Sequence, residues 1–387
     1  MKYLFWISFI FIVYTYVGYP LVLFVLSKLL PKRVDKRQLV PEPLVTVVVA
    51  ARNEGQNIGK RIENLLGQHY PPNRLEIIIV SNGSTDATNE IAERYAAAEA
   101  VSIQCGNETF PRLRLVKLDD NKGKSHALNR GVGLAHGEYI VFADARQDFD
   151  PDAVRELIAN FNDPKVGSVT GELVFYEDSD TSIKAEMGLY WAIEKSIRKM
   201  EGQVHSVAGA TGAIYAIRRE LFEEIPEETI LDDVFVPMKI VTRGYRNVFE
   251  DRAIAHDVFS KDLAGEKRRK IRTLLGNYQL LRLMPELVSV SRNPICVQFV
   301  SHKIFRLFVP FCFIALFVSS LIVRGFIYKL TFWAIVAVLL MNVFYKPLSR
   351  IPYLNKLCAI SRTLFSLNYF AFLAFFYCMK PEKAKVW

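Results

Sequence analysis

No spacing in this chain pairs its cysteines. There are five in 387 residues, Cys105, Cys296, Cys312, Cys358 and Cys378, and no CxxC or Cys/His pattern joins them. Four of the five lie in or beside apolar segments, where cysteine acts as a small hydrophobe. Neither a disulfide framework nor a zinc site is suggested, which fits a catalytic region in a reducing cytoplasm. Acidic excess is also missing: 49 Lys and Arg face 40 Asp and Glu, a net charge of +9. Such a balance invites a nucleic-acid reading, but the cations cluster beside the apolar ends and in 261–272. Anionic lipid head groups and a diphosphate ligand are the more economical partners, and no nucleic acid is expected. Nor is a cleavable leader expected. Residues 3–30 are almost unbroken apolar, longer than the about 7–15 residues of a signal-peptide core, and no small-x-small site follows.

What is present is apolar surplus at both ends. Hydrophobic residues make up 51% of the chain and mean hydropathy is +0.15, too apolar for an ordinary soluble enzyme. Residues 1–30 read as an uncleaved membrane anchor and 31–43, with three prolines and many charges, as a linker. Lys28, Lys32, Arg33, Lys36 and Arg37 crowd the far end of the anchor against Lys2 at its start. The positive-inside rule therefore places the N-terminus outside and the following domain, 44–260, in the cytoplasm. Residues 261–300 form a basic, amphipathic region suited to the membrane interface. Residues 301–387 hold apolar stretches at 304–323, 326–345 and 357–379, divided by Arg324-Gly325 and the basic loop Lys346 to Arg362. If all three cross, Lys380, Lys383 and Lys385 end up outside, against the rule, so three and four spans in total both remain open. The expected location is the inner or plasma membrane, multi-pass.

The region between the apolar ends alternates strand and helix. Runs at Thr46–Ala51, Glu76–Val80 and Glu138–Phe142 are apolar without alternation, as strands buried on both faces are, and Leu113–Leu118 reads as another short strand. Helical patterns follow over 55–68 and 85–100 and from Lys124. This order predicts a doubly wound, mostly parallel α/β sheet. Beyond it, helix at 152–161, strand at 166–175, an amphipathic helix at 183–201, loop and strand at 209–217 and helix at 231–242 suggest an added antiparallel part.

Polar groups gather at the strand ends, the edge where open parallel sheets bind ligands. Ser81-Asn82-Gly83-Ser84-Thr85-Asp86 feeds a helix N-terminus, fit to grip a base, ribose or phosphate, or simply a capped turn. Asp144 is placed to hold Mg2+ or Mn2+ on a diphosphate, or to cap the next turn. Lys124 reaches toward a phosphate, or into solvent. Asp232-Asp233 opens a helix, as a general base or as an N-cap. Arg269 and Arg272, at i and i+3, suit phosphates or a membrane surface.

Order and spacing decide among these. The segments resemble glycosyltransferase family 2, inverting enzymes of the GT-A fold that use nucleotide-diphosphate sugars. Val47 to Glu54 looks like the family's opening strand, placing Ala51 and Glu54 near the nucleotide. Ser81 to Asp86 is similar to its D-D-G-S-T-D turn, with Asn82, Ser84 and Asp86 at the donor. Asn121 to Gly131 resembles its N-x-G-K-x-x-A-L-N-x-G segment, Asp144-Ala145-Arg146 its D-x-D, and Leu231-Asp232-Asp233 its T-E-D. Gly209-Ala210-Thr211-Gly212 resembles the acceptor-side loop, and Arg269 to Thr273 stands where processive members carry Q-x-x-R-W. The resemblance implies a GT-A domain with membrane helices at both ends. It implies Asp233 as base with Asp232 beside it, Lys124, Asp144, Arg146, Arg269 and Arg272 at the donor diphosphate, and Gly209, Thr211 and Gly212 at the acceptor. Asp144 would ligate Mg2+ or Mn2+. The expected reaction carries a sugar, UDP-linked by family tendency, to a hydroxyl of a lipid-linked or polysaccharide acceptor. Ser81, Asn82 and Arg146 stand where the pattern has aspartates, and only Arg272 of Q-x-x-R-W is retained. Two alternatives stay open, a polyprenyl-phosphate sugar transferase and a non-catalytic scaffold of the same fold.

Overall fold

The computed structural model describes residues 1–176, 182–258, 263–349 and 351–379. These residues form ten strands: β1 Val45–Ala51, β2 Leu75–Asn82, β3 Ser102–Cys105, β4 Glu108–Pro111, β5 Leu113–Leu118, β6 Tyr139–Ala143, β7 Asp148–Phe149, β8 Val166–Phe175, β9 Ile214–Arg218 and β10 Arg246–Asp257. Eight make one sheet in the order β5-β2-β1-β6-β9-β8-β10-β7, and β3-β4 is a separate hairpin. The half β5-β2-β1-β6 is parallel throughout. β9 then runs antiparallel to both β6 and β8. The expected mixed sheet is therefore observed.

The apolar runs explain why β1 and β2 are central. With no polar face, a strand of Val and Ile must be covered on both sides. Val45, Val47 and Val49 of β1 pack into one core with Ile58, Ile62 and Leu65 of the Ile58–Leu66 helix. Val48 packs into a second core on the other face with Ala127 and Leu128 of the Lys124–Gly133 helix. The Asp232–Thr242 helix joins that second core, as do Leu280 and Leu287 near the membrane-proximal helices.

Among the described residues four helices are long and apolar enough to cross a membrane: Lys2–Leu29, Cys296–Ile322, Phe326–Val343 and Tyr353–Met379. The second begins earlier than the apolar stretch at 304–323: its first turns carry Ser301 and His302, buried, and the half-buried Gln298 against the domain. Gln298 donates to the carbonyls of Glu201 and Ser206. The basic helix is Leu263–Leu283, and it packs on the last membrane helix. The C-terminal lysines lie outside the described residues.

Candidate active site

The carboxyl ends of β1, β2 and β6 meet over one edge, and local hydrogen bonds fix what each presents. β2 runs two residues further than the apolar pattern, so Ser81 and Asn82 are strand rather than turn. The Asn82 amide donates to Asn121 Oδ1 (2.9 Å) and the Gly123 carbonyl (3.0 Å), and its oxygen accepts from Lys122 N (3.2 Å). Gly83 follows at φ 63°, where a Cβ would stand 2.7 Å from Asn121 N. Asn82 thus braces the 119–123 loop that leads to Lys124. Ser84 Oγ accepts from Ser81 Oγ (2.9 Å) and from Asn53 N (3.2 Å). Asp86 accepts from Thr88 N (3.0 Å) and Gly55 N (2.9 Å), so it starts the helix at Thr88 rather than at Thr85 and ties it to the end of β1. Those bonds hold the exposed Asp86 carboxyl below its ordinary value, the Thr88 hydroxyl first among them. Glu54 accepts from Asn57 (2.7 Å) and lies 3.8 Å from the Arg146 guanidinium. Ala51 closes β1, buried.

The electrostatic centre is Lys124. Its Nζ lies 2.9 Å from Asp144 Oδ1 and 3.4 Å from Asp232 Oδ2. Burial would lower its pKa, but Asp144, Asp232 and Asp233 outweigh that and hold it charged. Asp232 is buried, and its neighbour Asp233 sits at the first turn of the Asp232–Thr242 helix. Burial first, then the charge of Asp232, push Asp233 up to about 6, against the pull of Lys124, Lys303 and Arg198. No described residue is hydrogen-bonded to the Asp233 carboxylate. A Cβ on Gly212 would lie 3.2 Å from Asp233 Oδ2, so glycine keeps the approach to that oxygen open. The loop before it is held by Thr211 N to Thr170 Oγ1 (2.9 Å) and by Ala210 N to the Asp233 carbonyl (2.7 Å). Gly209 takes φ 108° beside Val234. The sheet edge and this loop thus bring the donor-side and acceptor-side residues to one place. Arg269 and Arg272 lie on the exposed side of the Leu263–Leu283 helix, whose Gly276 packs against Leu231. Arg272 has no ion-pair partner among the described residues.

Three residues enter the site without a sequence signal. Tyr215 on β9 is fully buried, and its hydroxyl finds no partner among the described residues. Burial and the charges of Asp232, Asp233 and Asp144 raise it well above the ordinary tyrosine value. Arg61 is buried beneath the edge with its guanidinium 4.0 Å from the Phe149 ring centre, and burial lowers it to about 9 despite Asp144 and Asp148. Arg198 donates to Thr211 Oγ1 at 2.6 Å. Only the outer face of these helices and strands carries a periodic signal; inward polar residues look like interruptions of it.

Among the described residues no group of three or more His, Cys, Asp or Glu is arranged to hold an ion. Asp144 has one oxygen engaged by Lys124 and its side chain is 35% exposed. A cation ligated by one carboxylate and otherwise by water and diphosphate oxygens fits that arrangement.

A mixed sheet of this order, with a basic cradle at its parallel edge and an unbonded carboxylate at the adjoining helix start, has the GT-A architecture, with its candidate site at the strand ends. The family assignment is direct: a model of Glycosyl transferase family 2 matches residues 46–226, one of Glycosyl transferase family group 2 matches 139–378, and the chain belongs to that family. It is 27% identical over 241 residues to the poly-beta-1,6-N-acetyl-D-glucosamine synthase of Staphylococcus aureus strain COL, covering 61% of this chain and 55% of that protein. The synthase of Staphylococcus epidermidis is 25% identical over the same span. The chain thus spans little more than half the length of these relatives. The structure of a mannosyltransferase from Pyrobaculum calidifontis, in complex with GDP-Man and Mn2+, superposes with a TM-score of 0.70 at 21% identity, covering 97% of this chain and 99% of that one. The chain has the GT-A fold of that family, with apolar helices at both ends.

Proposed function

We propose that the protein is an inverting transferase that moves a sugar from a nucleoside diphosphate, UDP by preference, to a hydroxyl of a lipid-linked or glycan acceptor at the membrane. The observation that carries the reading is the Asp233 carboxylate, unbonded, raised to about 6 and opened to the acceptor side by Gly212. A carboxylate in that state is mostly ionised at neutral pH yet basic enough to take a proton.

The nucleotide lies along the ends of β1 and β2, past Ala51, Glu54, Ser84 and Asp86. Its diphosphate meets Lys124, with Arg146, Arg269 and Arg272 available around it. Asp233 takes the proton of the acceptor hydroxyl as that oxygen bonds to the anomeric carbon. The bond from that carbon to the diphosphate breaks on the opposite face, so configuration inverts. Lys124 and Arg272 neutralise the departing charge. Asp144 would hold Mg2+ or Mn2+, which supplies further neutralisation of the diphosphate when bound. Asp232 keeps Lys124 in place and Asp233 basic.

The domain division at 1–30, 31–43, 44–260, 261–300 and 301–387 accords with this, the catalytic part lying on the cytoplasmic face of the inner or plasma membrane. The similarity to two polysaccharide synthases supports a glycan product. The test is a nucleotide-release screen over UDP-, GDP- and TDP-sugars on purified protein in lipid. Release above background with one donor class supports the reading; no release from any, with membranes and acceptor present, sinks it.

A further inference from the structure

The sheet ends on its shortest strand. β7, Asp148–Phe149, pairs on one side with Ala255 and His256 of β10, and its other edge faces no strand. Two residues are fewer than the about 3–10 of an ordinary strand, so the ladder alone holds β7 weakly. A side chain closes the open edge instead. Asn64 Oδ1 accepts from Phe149 N (2.8 Å) and Asn64 Nδ2 donates to the Phe149 carbonyl (2.9 Å), the pair of bonds a neighbouring strand would supply. Lys60 pairs with Asp148, and Gln68 donates to the Asp150 carbonyl at 3.1 Å. These residues are spaced four apart, so one face of the Ile58–Leu66 helix and the turn after it grip 148–150.

Arg61 fixes the amide at the centre of that grip. Its Nη1 donates to Asn64 Oδ1 at 2.8 Å, so the oxygen serves the guanidinium and Phe149 N together and Nδ2 is left for the Phe149 carbonyl. The same guanidinium lies 4.0 Å from the centre of the Phe149 ring. One side chain thus holds the ring of Phe149 directly and its backbone through Asn64. The arrangement is costly. Arg61 is 1% exposed, its Nε and Nη2 find no acceptor and no carboxylate lies at ion-pair distance among the described residues. Its helix neighbours Ile58, Ile62 and Leu65 are fully buried, and an apolar side chain in the same slot would avoid the buried charge. Local rules are broken in this way chiefly at functional sites.

The segment that gains is the turn between β6 and β7, residues 144–147, which carries Asp144 and Arg146. Its far end is tied to β10 by Gln147, which donates to Asp257 Oδ2 at 2.8 Å, and then to β7. We propose that Arg61 is a positioning residue for the donor: through Asn64 and Phe149 it fixes β7, and with it the turn that presents Asp144 and Arg146 to the diphosphate. This rests on the donor half of the proposed function and adds to it a residue that touches no substrate.

The experiment compares wild type, Arg61→Met, Arg61→Lys and a core control on the same helix, Ile62→Val, each as the full chain in one detergent. The readouts are a thermal melt, hydrogen exchange of the 145–150 amides, and calorimetry with UDP, GDP and TDP in the presence of Mn2+. Arg61→Met should melt no lower than the wild type, because methionine fills the slot without a charge. Its 145–150 amides should exchange about 10-fold faster with β1 and β2 unchanged, and its Kd for the nucleotide the wild type binds should rise about 10-fold, one charged hydrogen bond's worth. Arg61→Lys keeps a cation over Phe149 and should recover most of both. Ile62→Val should melt lower, with exchange at 145–150 and nucleotide affinity as in the wild type. Wild-type exchange at 145–150 in Arg61→Met, or wild-type affinity despite faster exchange, would overturn the proposal. A lower melt with faster exchange throughout the domain would also overturn it, as the mark of an ordinary core residue. If the wild type binds none of the three nucleotides, the donor reading fails by itself, and exchange at 145–150 still decides whether Arg61 holds the segment.

Discussion

Asp233→Asn should make the protein more stable and less active, and the gain in stability should depend on pH. The folded carboxyl sits at about 6 against an ordinary value of 3.8, because burial and Asp232 oppose its charge. The sign follows from linkage. A carboxyl whose folded pKa is raised binds its proton more tightly folded than unfolded, so ionising it favours unfolding. The penalty is absent below about pH 4, grows between about pH 4 and 6, and is complete above that. A displacement of about 2 pH units corresponds to ~3 kcal/mol at most. Asparagine keeps the shape and removes the charge, so Asp233→Asn should gain up to about 3 kcal/mol at pH 8 and nothing at pH 4, an active-site cost recovered. The assay is thermal unfolding of wild type and variant in one detergent across pH 4–8. A stability difference that is flat with pH, or a variant less stable at pH 8, would refute the burial and charge argument for this residue.

Asp232→Asn removes the charge that lifts Asp233, so the acid limb of nucleotide release should move down by about one pH unit, read from kcat/KM profiles. Lys124→Gln leaves Asp144 and Asp232 without their shared cation; calorimetry with the nucleotide should show weaker binding by about 1.5–3 kcal/mol, the range for a charged hydrogen bond. Gly212→Ala places a methyl against Asp233 Oδ2 and should raise acceptor KM with donor affinity unchanged, measured by two-substrate kinetics. Arg272→Ala should lower kcat about 10-fold or more without altering thermal stability, because the side chain is exposed and has no described ion partner.

The parallel half of the sheet was legible because β1, β2 and β6 are short apolar runs buried on both faces, whereas β5 at the sheet's edge is only partly covered. β10, the longest strand, was not, since Glu250-Asp251-Arg252 interrupts it. Those polar residues are tolerated because Glu250 accepts from Lys36 and Asn160 (2.9 Å), contacts across 214 and 90 residues of sequence. The β3-β4 hairpin was equally hidden. Its residues are largely exposed, so no burial pattern marks them. At the site, motif order located Lys124, Asp144 and Asp233, and the fold brings them together. What sequence could not give was who spends a polar group on whom. Asn82 and Asp86 hold the loop and helix that shape the donor edge, and Asp144 shares Lys124 with Asp232. Tyr215, Arg61 and Lys303 are invisible for a related reason: an inward polar residue gains meaning only from what it faces across the core.

The central claim is that Asp233 takes the acceptor proton, and turnover of Asp233→Asn tests it most directly once a donor and acceptor pair is in hand. The account predicts an unchanged Kd for the nucleotide sugar and turnover slower by about 10²–10⁴. Turnover within a few-fold of wild type would contradict it, and would point instead to an acceptor phosphate that needs no base.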